Sequence, residues 1–127
     1  MLDFVVLFKL KYISGYCCWK VRVGYYIKND AYTQQSGMYG NYRKASTTIN
    51  GKPYYTSMFS SGTRAIWFSN QNQWMIGYTS EQGTASGFAY NNNNDNCPYD
   101  PAFDWQYLDR YRNWASAGDG LSIYNQC

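Results

Sequence analysis

Three aspartates towards the C-terminus are spaced as catalytic carboxylates could be. Asp100 and Asp104 lie one turn apart if the stretch from 100 to 114 is helical, and Asp109 follows. Glycoside hydrolysis needs such a pair: one carboxyl protonates the leaving oxygen, and the other attacks or activates water. A plainer use competes, with Asp104 as a helix N-cap and the others as solvated groups, and it is the favoured one. The same oxygens, with Asp95 and Asn96, could face calcium, but the Asp-x-Asn-x-Asn-Gly loop with its late Glu is not there. The chain has no histidine. That removes Ser-His-Asp and Cys-His catalysis within one chain, the commonest neutral-pH base and the usual catalytic zinc ligand. No glycine pattern matches a phosphate loop or a dinucleotide fingerprint. The expectation is a protein with no catalytic residues, no metal and no cofactor.

Sulfur is the second chemistry. Cys17, Cys18, Cys97 and Cys127 make an even count in a chain of 127 residues. This favours an oxidising compartment without fixing the pairing. A Cys97–Cys127 bridge would close a C-terminal loop and contribute roughly 3 to 4 kcal/mol in the chain-entropy picture. Cys17 and Cys18 could pair with each other, with either of the later two, or with another chain. Zinc ligation is disfavoured, because there is no Cys-x-x-Cys pair.

Recognition is the third. With 15 Tyr, 5 Trp and 6 Phe, the chain is rich in rings that bury large area at low rotamer cost. Sugars suit exposed aromatic platforms flanked by amides and hydroxyls. Trp67, Tyr78 and Trp105, with Asn92 and Asn94 in the run from Asn91 to Asn96, supply those groups. The opposing reading puts the rings in the core and leaves the Asn run as a plain polar loop. The formal charge is only +3. Basic residues crowd the first third (Lys9, Lys11, Lys20, Arg22, Lys28, Arg43, Lys44) without interleaving densely with aromatics, so nucleic acid is not an expected partner.

The elements that would position these groups read as strands. Asn50-Gly51 between Ser46–Ile49 and Lys52–Phe59 is the strongest short hairpin signal, because both residues tolerate positive φ in a type I′ turn. Ser60-Ser61-Gly62 and Asn70-Gln71-Asn72 turn the chain again around Ala65–Phe68 and Gln73–Thr79. Trp19–Ile27, Met38–Arg43, Thr84–Tyr90 and Leu121–Tyr124 are further strands, and Tyr32–Gly37 is a loop. Trp105, Leu108, Tyr111 and Arg112 follow helical spacing within 100–114. Alternation from Lys52 to Thr79 places apolar or aromatic groups on both faces, so either both faces are covered or one displays its rings. A displayed face could stack or pair with other molecules. The run Phe4–Phe8 is too short to cross a bilayer and a poor signal-peptide core, so residues 1–18 are an uncertain strand or leader-like segment before a domain at 19–127.

Three groups of residues carry a resemblance: Tyr39–Tyr42 before Asn50-Gly51-Lys52-Pro53-Tyr54-Tyr55, Ile66-Trp67 before Gln73-Trp74-Met75-Ile76-Gly77, and Cys97-Pro98 with a downstream Trp and Cys127. Together they resemble a Trp-, Tyr- and Cys-containing β-module repeated within multidomain secreted or surface proteins. The resemblance spans roughly residues 19 to 127. It implies extracellular placement and structural or binding use without catalytic residues. The whole reading is a mainly β chain, an antiparallel meander or small β-sandwich with a short C-terminal helix and a disulfide-tethered loop. Its expected role is structural, adhesive or assembling, with protein partners or self-association; carbohydrate binding is the alternative, and a glycosidase-like enzyme is the least favoured.

Overall fold

The computed structural model describes residues 17–99 and 104–127. The N-terminal segment read as a strand or leader, and Asp100, lie outside them. Among the described residues, nine strands form one antiparallel sheet: β1 Lys20–Gly24, β2 Gly40–Ile49, β3 Lys52–Ser57, β4 Arg64–Phe68, β5 Trp74–Tyr78, β6 Ala89–Asn91, β7 Gln106–Leu108, β8 Trp114–Ser116 and β9 Ser122–Asn125. From β1 to β8 each strand lies beside its predecessor, and β9 returns to pair with β1 on its other side. The mainly β, antiparallel reading is thus the observed one. The sheet curves into a half-barrel, with residues of β1, β2, β3, β4, β5, β6, β7 and β9 sharing one inner core.

Local chemistry explains the central strands. Asn50 and Gly51 take φ 52 and 83, and the β2–β3 hairpin closes there with Ile49 opposite Lys52. The two expected segments Met38–Arg43 and Ser46–Ile49 belong to one long strand that starts at Gly40, after a 3-10 turn over Ser36–Met38, and is interrupted between Lys44 and Thr48 by a shift of register. Alternation then sorts the side chains. Tyr42, Tyr55, Ile66, Phe68, Trp74 and Ile76 point into the inner core. Ala65, Trp67 and Met75 form a second, smaller cluster on the outer face with Ile49, Tyr54 and Tyr90.

That outer cluster is covered. The connection from Thr79 to Phe88 leaves the end of β5, crosses the outer face and returns. Trp67 Nε1 donates to Thr84 O at 2.8 Å, Asn70 N donates to Gly83 O, and Phe88 N donates to Ile76 O at 2.7 Å. A Cβ on Gly77 would sit 2.8 Å from Trp67 and 2.9 Å from Gly87 Cα, so glycine lets the loop lie flat on the strand. Both faces of the sheet centre are therefore closed, and among the large apolar or aromatic side chains from Lys52 to Thr79 only Met58, just after β3, and Tyr78, at the end of β5, are exposed. The expected strand Thr84–Tyr90 is reduced to Ala89–Asn91 because the preceding residues serve as this cover.

Two expectations about helices are corrected. The short helix, α1, is Asp30–Gln34, where a loop was expected from Tyr32. Asn29 caps it by accepting from Ala31 N at 3.0 Å. The 104–114 stretch forms β7 and β8 instead of a C-terminal helix. Asp109 Oδ1 accepts the amides of Tyr111 and Asn113 at 2.8 and 2.9 Å, and a side chain so engaged holds a turn against helix. Trp105 and Tyr107 share the buried face with strand spacing.

The β1–β2 connection, which carries α1, crosses the open side of the half-barrel. Gln35 Nε2 donates to Leu108 O at 2.8 Å, Asn29 Nδ2 to Ala117 O at 3.0 Å and Tyr39 Oη to Gly120 O at 2.5 Å. Ala31 and Met38 enter the inner core from this side.

The sulfur pairing differs from the bridge considered for the C-terminal loop. Cys17 joins Cys97 and Cys18 joins Cys127, with sequence separations of 80 and 109. Adjacent residues before a strand point to opposite sides, so the two sulfurs reach different partners. The tethered loop is there, but it is fixed to the start of β1. Cys17 and Cys18 thereby belong to the folded unit rather than to the segment before it.

Candidate binding site

The antiparallel order divides the molecule into two poles. One pole holds the disulfides, the Asn50-Gly51 turn, the turn at 69–73 and the Asn91–Asn96 run. The other holds the ends of β1, β3, β5 and β7 and the starts of β2, β4, β6, β8 and β9.

The residues expected to bind sugar are not brought together. Trp67 is 0% and Trp105 1% exposed, so neither offers a ring face to a ligand; both serve the core. Asn92 and Asn94 are exposed at the disulfide pole. Asn92 accepts from Gln73 Nε2 at 3.1 Å, and the Asn94 carbonyl accepts from Lys52 Nζ. The run is anchored more firmly than a plain polar loop. Lys52 Nζ also donates to Asp95 O at 2.9 Å and sits 4.3 Å from the Phe68 ring centroid, while Trp74 Nε1 donates to the same Asp95 oxygen at 3.0 Å. Burial lowers the Lys52 pKa, with Asp95 opposing the shift. Asn91 is buried in β6, a core position the run was not expected to have. Tyr78 is at the opposite pole, four residues along β5 from Trp74, or about 13 Å at strand rise.

Tyr78 belongs to a cleft of about 380 Å³ that the sequence did not reveal. Three connections meet there. Gln35 comes from the segment after α1, Glu81, Ser86, Gly87 and Phe88 from the outer-face loop, and Leu108, Asp109 and Arg112 from the β7–β8 hairpin. Tyr78 is 42% exposed, and its ring meets Phe88 edge-on at 4.6 Å. Arg64, directly across the β4–β5 ladder, places its guanidinium 4.6 Å from the Tyr78 centroid and 5.4 Å from that of Phe88. Its buried Nε has no hydrogen-bond partner among the described residues, so the two rings supply much of what the cation meets.

The carboxylates do not form the glycosidase pair considered above. Asp104 accepts from Ser116 Oγ at 3.3 Å on the exposed side of the β7–β8 region, and Asp109 braces its own turn. Among the described residues no group of three or more His, Cys, Asp or Glu is placed to hold a metal ion. A different acidic contact is notable. Tyr107 Oη donates to Asp30 Oδ2 at 2.5 Å, which holds the Asp30 carboxyl below its ordinary pKa. Burial first, and then this bond, push the Tyr107 phenol up to about 12.

The same pole carries a second feature. Tyr25, Tyr26 and Ile27 follow β1 and are all exposed, Tyr26 at 61% and Ile27 at 62%. Tyr25, Tyr32 and Tyr39 pack edge to face with centroids 4.9 to 6.1 Å apart. Tyr26 meets Tyr124 at 5.5 Å, and Lys28 Nζ lies 4.5 Å from the Tyr32 centroid. No helix among the described residues is long and apolar enough to cross a membrane. The chain matches no protein-family model, no curated protein and no solved structure.

Proposed function

We propose that this chain is a non-catalytic extracellular module that meets other proteins, including copies of itself, through the aromatic surface built on Tyr25-Tyr26-Ile27. The observation that carries this reading is the cluster itself. A contiguous apolar and aromatic run is exposed beside three further tyrosines, whereas the other exposed rings among the described residues, Trp19, Tyr78, Tyr111 and Trp114, stand singly in the sequence. Such patches mark interaction surfaces, and Tyr is enriched there because it offers area with few rotors to freeze. Placement outside the cell is supported by the two bridges between distant segments, a feature of oxidising compartments. The resemblance carried by Asn50-Gly51-Lys52-Pro53-Tyr54-Tyr55, Gln73-Trp74-Met75-Ile76-Gly77 and Cys97-Pro98 implies the same placement and use. A displayed aromatic face between Lys52 and Thr79 is one of two readings of the sequence; the centre of that stretch is covered, so the exposed rings after β1 take its place here.

Sedimentation velocity over a concentration series tests the proposal. The wild-type chain shifts to a larger species as concentration rises, and Tyr26→Ser with Ile27→Ser removes the shift while leaving the melting temperature within a few degrees. A chain that stays monomeric throughout, or a double variant that associates equally well, would sink self-association through this surface.

A further inference from the structure

We propose that the cleft over Tyr78 is a binding site for a neutral saccharide, independent of the tyrosine surface on the other flank of the same pole. The first argument is composition. The cleft combines one half-exposed aromatic ring with Gln35, Glu81, Ser86 and Arg112, drawn from three separate connections. A sugar ring has an apolar C–H face and a rim of adjacent hydroxyls. The first packs on an aromatic face; the second matches planar carboxylate, amide and guanidinium groups that offer two acceptors or two donors side by side. The volume, about 380 Å³, falls at the small end of ligand pockets, which run from about 300 to 1,000 Å³.

Charge selects among sugars. Glu81 and Asp109 in the lining are offset by Arg112 and by Arg64 stacked against Tyr78 and Phe88. Such a balance favours no ionised ligand of either sign, hence a neutral one.

The third argument is the backbone at Arg112. Its φ is 64, in the left-handed region. The other non-glycine residues with positive φ among those described are Asn50, Ser60, Ser61 and Asn72, all small and polar. Asn tolerates this region, and glycine occupies it without strain. The β7–β8 turn carries a long cationic side chain there instead, and that side chain lines the cleft. Glycine or asparagine would hold the same turn with less strain, and strain of this kind collects at functional sites.

Saturation-transfer NMR with the intact disulfide-bonded chain, using a panel of neutral, uronic and amino methyl glycosides and neutral disaccharides, tests the assignment. At least one neutral sugar binds saturably, and the amides of Gly87, Leu108 and Asn113 shift on titration. Tyr78→Ala weakens that binding by about tenfold or more, and Tyr78→Phe retains it within about twofold. Arg112→Gly is the sharper arm: it keeps or raises the melting temperature, because the turn is relieved, yet weakens binding. Glu81→Gln, at a partly exposed loop residue, supplies a further binding arm should Tyr78→Ala fail to fold. The proposal is overturned if no neutral sugar in the panel saturates, if only charged sugars do, if the shifts map to Tyr26 and Trp114 instead, or if Arg112→Gly binds as well as wild type.

Discussion

At the scale of single residues, the contact with the clearest electrostatic consequence is Tyr107 with Asp30. The bond favours the carboxylate of Asp30 and the neutral phenol of Tyr107, and the two signs lead to different pH windows. Asp30 is depressed, so its share of stability is present above the ordinary carboxyl pKa, near 4, and is lost as pH falls through the lower folded value. Tyr107 is raised, so its share is present below the ordinary phenol value, near 10, and is lost as pH rises through about 12. Tyr107→Phe removes the donor. Carbon-detected NMR titration should then find the Asp30 carboxyl titrating at higher pH, closer to a free aspartate. An unchanged Asp30 titration would mean that the bond is not what sets it. The contact matters for more than α1, because it ties that helix to β7 at the mouth of the half-barrel, next to the segment that supplies Gln35 to the cleft.

At the scale of elements, Asn50 acts twice. Its backbone makes the β2–β3 turn, and its side-chain Nδ2 donates to Phe68 O at 2.8 Å and Gly83 O at 3.1 Å. The turn is thereby joined to β4 and to the loop that covers Trp67. Asn50→Gly keeps the positive φ and deletes only those bonds. It should cost about 1 kcal/mol in urea denaturation. Hydrogen exchange should quicken most at Asn70, whose amide donates to Gly83, and least at Tyr42 or Ile66; uniform loss of protection would contradict this division. The hairpin itself was legible in the sequence, because Asn-Gly between β-prone segments has few other uses. Period-two spacing likewise separated Tyr55, Ile66 and Ile76 from Tyr54 and Trp67. Helix α1 was not legible: five residues span little more than one turn, too short for a periodicity, and the Asn29 cap looks like a strand end. β7 and β8 were misread because Trp105, Leu108, Tyr111 and Arg112 fall at helical intervals, whereas strands of three residues carry almost no pattern of their own. The cleft was hidden for another reason. Gln35, Glu81 and Arg112 are far apart in the chain, and only the order of the strands brings their loops to one pole. Tyr78 alone of the expected binding residues falls there.

At the scale of the whole molecule, stability leans on the two bridges anchored at the start of β1. Each spans most of the folded chain, and removing a native disulfide from a small domain costs about 2 to 5 kcal/mol. Cys97→Ser with Cys17→Ser, and Cys127→Ser with Cys18→Ser, should each lower the unfolding free energy from urea denaturation by an amount in this range. Fragmentation between Cys17 and Cys18 in unreduced peptides should assign Cys17 to Cys97 and Cys18 to Cys127; a Cys97–Cys127 link would refute the pairing. The cysteine count was legible in the sequence but the pairing was not: Cys18–Cys127 depends on β9 returning beside β1, and Cys17–Cys97 on where the chain after β6 comes to lie.

Because Cys18 fastens Cys127 beside the beginning of the sheet, Cys127 lies at the pole opposite Tyr78 and Tyr26. A dye, resin or display scaffold coupled at that pole would act as a stalk, holding the cleft and the tyrosine surface outward into solution. Attachment through lysines would lack that directionality, since Lys28 stands among the tyrosines and Lys52 is locked under the asparagine run.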